Sequence, residues 1–165
     1  MRVHHLDCGP VRPVFPRLSS TLLCTLVQAG DELLLVDTGL GRGDLTAPSA
    51  RMRFFIALMR CERTVERTAA CRIAAMGTNP GAVKHVLLTH LHLDHSGGVP
   101  DFPDALIHVT RAEVEAATRP RGLGKLFYEP GHWEHGPRWR IHERTEPAGW
   151  FGFDAIRVDE IVSAE

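Results

Sequence analysis

Four side chains that can bind a metal ion lie within six consecutive positions of this chain. They form the pattern His-x-His-x-Asp-His, made by His90, His92, Asp94 and His95. With 10 histidines in 165 residues, composition alone gives roughly 0.002 accidental occurrences of the pattern. Imidazole and carboxylate donors suit zinc, and they also suit iron, manganese or cobalt. The pattern therefore predicts a site for a divalent transition metal, with a set of metal-free surface histidines as the alternative.

The spacing divides these four donors into two pairs. In extended backbone His90 and His92 point to the same side of the chain, because successive side chains alternate. Asp94 and His95 follow where the chain turns toward Gly97-Gly98, so they can face a neighbouring point. One stretch could then hold two ions. A bound divalent metal lowers the pKa of its water from 15.7 to about 7, and two neighbouring metals can stabilise both the attacking and the leaving oxygen of a hydrolysis. The predicted chemistry is attack by metal-bound hydroxide.

The elements that position these donors can be read from two short apolar runs. Residues 86–88 are too few for a helix and indicate a buried strand that ends at Thr89, directly before the donors. Residues 33–36 indicate another strand, which ends at Asp37-Thr38-Gly39. We therefore expect two strand ends to lie close to the metal site.

Both strand ends resemble motifs of the metallo-β-lactamase-fold hydrolases. The family's metal-binding loop is similar to Thr89-His90-Leu91-His92-Leu93-Asp94-His95-Ser96-Gly97-Gly98, and its first motif is similar to Asp37-Thr38-Gly39. The resemblance implies that His90 and His92 bind one metal and that Asp94 and His95 bind a second. It further implies that Asp37 lies beneath the loop and orients a ligand without binding metal itself. Asp37 and Asp94 are the residues we expect to serve catalysis, and an ordinary turn residue is the alternative for Asp37.

The resemblance also implies a fold, a cofactor and a class of reaction. The fold would be a mixed α/β, αββα sandwich, and the cofactor would be zinc, with two ions in a complete site and iron or manganese as substitutes. The substrate would be a small molecule with an ester, lactone, thioester, phosphoester or amide bond. A catalytically incompetent metal-binding or interaction fragment is the alternative.

Only the amino-terminal half of that family's fold is matched by the resemblance. The family's third histidine for the first metal, its bridging aspartate and its last histidine are not recognised in this sequence. Asp154 and Asp159 are the acidic residues in the region, but they lack the neighbouring glycine and histidine of the bridging aspartate. We therefore expect one domain over residues 1–165, truncated before the carboxy-terminal half. A homo-oligomer or a complementing chain could complete it.

A second histidine-bearing stretch, Gly131-His132-Trp133-Glu134-His135, matches the family's third metal ligand poorly. An apolar strand does not precede it and no Thr-Pro-Gly-His follows, so a ligand role for His132 or His135 remains an alternative. We predict packing or pocket-wall roles for the surrounding aromatics. Three further histidines are predicted to be packing or surface residues: His4, His5 and His108.

Local patterns predict the remaining secondary structure. Strands are expected over residues 2–8, 21–28 and 105–109, with a turn at Gly9-Pro10 and a proline-rich loop after it. Residues 52–59 are expected to be a helix or a flap, residues 64–76 a helix, and residues 119–137 a long loop at the pocket. Residues 39–48 are expected to be a glycine-rich loop without a phosphate role. Thr110 to Glu113 has the Thr-x-x-Glu pattern of a helix capping box.

Composition places limits on partners and compartment. The 18.3 kDa chain is 44% hydrophobic and has a formal net charge of −1 without strong clusters. These values indicate a globular domain and give no reason to expect nucleic acid or an anionic membrane as partner. No apolar run of transmembrane length or signal-peptide core occurs, and the four cysteines show no Cys-x-x-Cys spacing. We predict a cytoplasmic protein with buried thiols, and a disulfide or a cysteine ligand is the alternative.

Overall fold

A six-stranded mixed sheet forms the centre of the fold, in a computed structural model that describes residues 1–143, 148–150 and 153–155. Its strands lie side by side in chain order: β1 (Arg2–Val11), β2 (Ser20–Ala29), β3 (Glu32–Val36), β4 (His85–Leu87), β5 (Leu106–Thr110) and β6 (Arg138–His142). The first three strands are antiparallel, and β3 to β6 are parallel. The carboxyl ends of β3, β4 and β5 therefore meet at one edge of the sheet.

A separate antiparallel pair follows the sheet, formed by β7 (Ala148–Trp150) and β8 (Phe153–Ala155). Residues 151 and 152, which lie between these two strands, and Asp159 are outside the described residues.

Among the described residues, five short helices connect the strands: α1 (Arg42–Thr46), α2 (Ala50–Met59), α3 (Ala69–Ala75), α4 (Leu93–Ser96) and α5 (Arg111–Thr118). The structure assigns residues 52–59 to a helix, α2, and it places α1 inside the glycine-rich stretch that was expected to be a loop. Within residues 1–143 there are also five 3₁₀ turns: Val65–Arg67, Pro80–Ala82, Val99–Asp101, Gly122–Leu126 and Pro130–His132. In the part of the chain that the structure describes, no helix has the length and apolar character needed to span a bilayer.

Two predicted boundaries were wrong for identifiable reasons. The helix expected over residues 64–76 is interrupted at Thr68, whose backbone is extended and whose hydroxyl accepts a hydrogen bond from the Cys71 amide at 3.4 Å. Thr68 therefore caps α3 and separates it from the preceding turn. The first strand does not end in a turn at Gly9-Pro10 but continues to Val11 past an irregularity in the register. Because β1 is an edge strand, Pro10 costs the sheet no interior hydrogen bond.

The main hydrophobic core lies between one face of the sheet and the helices α3 and α5. Leu35, Val86 and Ile107, from three neighbouring strands, are each fully buried there. Burying such a side chain contributes about 1.5–3 kcal/mol to folding. All four cysteines are free thiols and three are buried, as the sequence predicts.

The opposite face of the sheet carries a chain of three imidazoles. His85 Nδ1 lies 2.9 Å from His108 Nε2, and His108 Nδ1 lies 2.9 Å from His142 Nε2. His108 is 2% exposed, so its predicted packing role is confirmed, with hydrogen bonds in addition. Burial, followed by the charges of the two neighbouring imidazoles and Arg140, lowers the pKa of His108 to about 4.

This lowered pKa predicts a loss of stability in acid. An unfolded histidine has a pKa of about 6.5 and takes up a proton that folded His108 resists. The free energy of unfolding should therefore fall as the pH drops from 6.5 toward 4, with His108 accounting for as much as ~3 kcal/mol. Urea unfolding across this pH range should show a shallower pH dependence for His108→Gln than for wild type. The exposed His135→Gln should match wild type, and parallel curves for all three proteins would contradict the prediction.

Candidate metal centre

The structure brings the four predicted donors together just beyond the carboxyl end of β4. The imidazole centroids of His90 and His92 are 4.5 Å apart, and those of His90 and His95 are 3.9 Å apart. His95 Nε2 lies 3.8 Å from Asp94 Oδ2. His92 is the first flanking residue of α4, whose single turn carries both Asp94 and His95. A strand end followed by one helical turn thus gathers donors that are contiguous in sequence.

The donor set suits a divalent metal by its chemistry, and one pair of donors also suits it by distance. Two ligands that each lie 2.0–2.2 Å from one ion are at most about 4.4 Å apart, and the nearest Asp94 and His95 atoms satisfy this limit. Within residues 1–143 and the two later strands, however, no three His, Cys, Asp or Glu side chains converge as a preformed ligand group. Side-chain rotations within the loop would be needed to direct more donors at one ion.

Asp37 lies beside this loop and accepts hydrogen bonds from it. Its Oδ1 accepts from the Thr89 amide at 2.9 Å, and its Oδ2 lies 2.9 Å from His95 Nδ1. Because a carboxylate only accepts, His95 donates through Nδ1, and in the neutral imidazole Nε2 then carries the lone pair that a metal needs. Asp37 also has a left-handed backbone with φ 55°, which is uncommon for non-glycine residues and which aspartate tolerates better than most.

The same contacts change the protonation of two donors in opposite directions. Burial lowers the pKa of His95, but the hydrogen bond and charge of Asp37, together with Asp94, outweigh it and raise that pKa above its usual value. Burial, followed by the nearby His95 and His92, lowers the pKa of His90. The lowered pKa favours the neutral imidazole of His90, which is the form that binds metals.

The backbone of residues 89–98, the proposed metal-binding loop, packs closely on the turn that follows β3. Thr38 donates to the His95 carbonyl through its amide at 2.9 Å and its hydroxyl at 2.7 Å. The Gly98 amide donates to the Thr38 hydroxyl at 3.0 Å. A Cβ on Gly98 would lie 2.8 Å from the Thr38 carbonyl oxygen, closer than real Cβ contacts. This approach explains why the loop ends in glycine.

Gly98→Ala is expected to destabilise the protein by about 1–3 kcal/mol, because the added methyl meets backbone that cannot move aside. Urea unfolding measures this loss. Gly43→Ala is the matched control, since no atom lies within 4 Å of its added Cβ and α1 favours alanine over glycine. Equal stabilities for the two variants would show that the close approach at Gly98 is not important.

Glu113 contacts the loop and was not predicted to do so. Its Oε2 accepts from the Leu91 amide at 3.1 Å. The predicted capping box is half present, since Thr110 accepts from the Glu113 amide at 3.4 Å while the carboxylate bonds Leu91 instead of closing the box. The Thr-x-x-Glu pattern located the helix start but could not reveal this second partner.

The structure does not bring His132 or His135 to the four donors. His132 is 3% exposed and hydrogen-bonded to Ser96 and Asp44, while His135 is exposed. The predicted wall role of the aromatics fits Phe127 and Tyr128, whose rings lie 5.3 and 5.1 Å from that of His92. Trp133 and Trp139 pack against the main core, and the two early histidines, His4 and His5, lie on the edge strand β1.

Comparison with known proteins identifies the family of this chain. A family model described as the metallo-beta-lactamase superfamily matches residues 22–158. The chain belongs to the metallo-beta-lactamase superfamily. It is 38% identical over 160 residues to a probable metallo-hydrolase from Mycobacterium tuberculosis, covering 95% of this chain and 50% of the relative. It is 47% identical over 49 residues to an N-acyl homoserine lactonase, AttM, from Agrobacterium fabrum, covering 30% of this chain and 19% of the relative.

Solved structures confirm the fold class of this superfamily member. An N-acyl homoserine lactone hydrolase with the product N-hexanoyl-L-homoserine at its catalytic metal centre aligns with a TM-score of 0.67 and 20% identity. The alignment covers 86% of this chain and 59% of that one. A Bacillus thuringiensis AiiA variant with N-decanoyl-L-homoserine at its active site aligns with the same TM-score and coverage. This chain spans about half the length of the curated relatives that it matches over most of its own length.

Proposed function

We propose that this protein is a metal-dependent hydrolase in which His90, His92, Asp94 and His95 bind the metal. The observation that carries the proposal is the gathering of these four donors at the end of β4, with His95 oriented by the Asp37 carboxylate. Membership of a superfamily that includes named metallo-hydrolases and lactonases supports it.

Zinc is the proposed metal, with two ions in a complete site and with iron or manganese as substitutes. When bound, such an ion lowers the pKa of its water to about 7 and polarises a substrate carbonyl. Residues of this chain set the protonation and the charge of the proposed ligands. Asp37 holds a proton on His95 Nδ1, the lowered pKa of His90 favours its neutral form, and the Asp94 carboxylate adds negative charge beside the ligand nitrogens.

A small lactone is the proposed substrate, among the ester, thioester, phosphoester and amide bonds that the same chemistry could hydrolyse. The names of several relatives support this choice, because they are N-acyl homoserine lactonases. The aromatic rings of Phe127 and Tyr128 beside His92 supply an apolar wall that suits an acyl chain. We also propose a cytoplasmic location, which agrees with four free thiols, and association with a second or complementing chain.

Hydrolysis assays on metal-loaded protein test this proposal. Protein loaded with Zn²⁺ or Mn²⁺ should open an N-acyl homoserine lactone or cleave a p-nitrophenyl ester. His92→Ala should reduce the rate by at least about 100-fold, because it removes a metal ligand. His135→Gln is the matched control on an exposed histidine and should retain the wild-type rate. Metal-independent turnover, or equal rates for His92→Ala and wild type, would contradict the proposal.

Metal binding without turnover is the second candidate function. It is favoured by the finding that, among the described residues, three potential ligands do not already converge on one point. A catalytic zinc ordinarily keeps three protein ligands and one open position. Retention of metal that depends on His92, without hydrolysis of any lactone, ester, thioester, phosphoester or amide tested, would favour this candidate.

A further inference from the structure

Three buried polar side chains, one of which belongs to the metal-binding loop, form one hydrogen-bonded chain. His132 Nδ1 lies 3.0 Å from Ser96 Oγ, and His132 Nε2 lies 3.0 Å from Asp44 Oδ1. The exposed fractions of Ser96, His132 and Asp44 are 0%, 3% and 7%. The chain joins three segments that are distant in sequence: α1, the turn Pro130–His132 and α4.

Ser96 is not placed to act as a nucleophile, although serine, histidine and aspartate recur in hydrolases. Its hydroxyl has no access to solvent and lies 3.1 Å from the His92 carbonyl oxygen and 3.3 Å from the Leu91 carbonyl oxygen. A substrate cannot reach an oxygen that is enclosed by backbone. The group therefore acts on the loop that carries Ser96, and not on a substrate.

Asp44 is itself fixed from two sides. Its Oδ2 accepts from the Gly41 amide at 2.9 Å. The same oxygen packs so tightly against Gly97 that a Cβ there would lie 2.3 Å from it. Asp44 thus presents Oδ1 to His132 from a rigid position, and the donor His132 Nε2–H is held in one orientation.

The segment that ends at His132 touches the metal-binding loop at a second place. The Leu93 amide donates to the Phe127 carbonyl oxygen at 2.9 Å. The next residue, Tyr128, is buried and places its ring 5.1 Å from the His92 ring. Residues 122–132 therefore contact the loop at two places. Phe127 and Tyr128 contact it near His92, and His132 contacts it near His95 through its hydrogen bond with Ser96.

We propose that His132 is a positioning residue for the metal site. With Asp44 and Ser96 it locks residues 122–132 onto the metal-binding loop, so that His92 and His95 are held ready to receive the ion. This inference rests on the proposed metal-binding function. Removing the imidazole takes its hydrogen-bond donor from buried Asp44 Oδ1 and one of three hydrogen-bond partners from Ser96 Oγ, and the loop must rearrange to satisfy the carboxylate oxygen.

Zinc affinity and cobalt spectroscopy test this role without using turnover. The Zn²⁺ dissociation constant would be measured by competition with a chromophoric chelator for wild type, His132→Gln and Ser96→Ala. We expect binding to weaken by about 10–100-fold in both variants, as for other residues that orient metal ligands. The visible spectrum of Co²⁺-loaded protein should also change, because it reports coordination geometry. The double variant His132→Gln/Ser96→Ala should bind Zn²⁺ about as tightly as the single variant with the lower zinc affinity, because both residues act through the same hydrogen-bonded group.

The control variant is His135→Gln, which changes an exposed histidine three positions further along and should leave both measurements unchanged. If His132→Gln does not fold, the smaller change Ser96→Ala decides the outcome. Folded variants with lower stability but unchanged zinc affinity and cobalt spectrum would overturn the positioning role. In that case a loss of zinc by His92→Ala would leave the proposed function intact, whereas failure of wild type to bind zinc would overturn both.

Discussion

Asp37→Asn is expected to weaken zinc binding by about 10–100-fold with little change in folding stability. Asparagine has the same shape, tolerates a left-handed backbone, and retains an oxygen that can accept from the Thr89 amide. Its amide nitrogen would then face His95 Nδ1, where two donors would oppose each other. His95 can relieve this conflict only by moving its proton to Nε2, the nitrogen that must bind the ion.

The measurement is the Zn²⁺ dissociation constant alongside the urea unfolding midpoint. Asp31→Asn is the matched control, because Asp31 lies exposed in the turn between β2 and β3. Wild-type zinc affinity in Asp37→Asn would mean that the carboxylate does not set the proton position on His95.

His95→Ala is expected to remove one of the proposed two zinc ions and to reduce hydrolysis by at least about 100-fold. The change deletes the nitrogen nearest to Asp94 and also leaves the Asp37 carboxylate without its imidazole partner. Both losses act on the proposed second metal. His90 and His92 remain to bind the first one, so metal content should fall without reaching zero.

Metal equivalents and turnover should be measured on the same preparation of His95→Ala. His5→Ala is the matched control, since His5 is an exposed histidine on β1 whose ring lies 3.4 Å from the Thr25 hydroxyl. Unchanged metal content in His95→Ala would contradict the division of the four donors into two pairs.

The proximity of the four proposed donors could be predicted because they lie within six positions of the sequence. A strand end followed by one helical turn is enough to gather His90, His92, Asp94 and His95, so local spacing contains most of the information. The strands were also predictable, since β2 and β3 are apolar runs separated by a turn. Their boundaries depended on tertiary details, such as the edge position that allows β1 to continue through Pro10.

The residues that support the loop through hydrogen bonds, without being proposed metal ligands, could not be predicted from local patterns. His132 and Asp44 are 88 positions apart in sequence, and only the folded chain brings them together with Ser96. Glu113 is 22 positions from Leu91, and its pattern indicated a helix cap instead. Such pairings depend on how α1, α5 and residues 122–132 pack around the loop. Single-sequence spacing does not specify that packing.

The most direct test of the metal site is the metal content of freshly purified protein after desalting. Elemental analysis would compare wild type with His92→Ala and with the exposed control His135→Gln. We predict about one to two equivalents of zinc per chain in wild type and in the control, with a clear loss in His92→Ala. Wild-type protein that retains no metal, or His92→Ala that retains as much as wild type, would contradict a metal centre at His90, His92, Asp94 and His95.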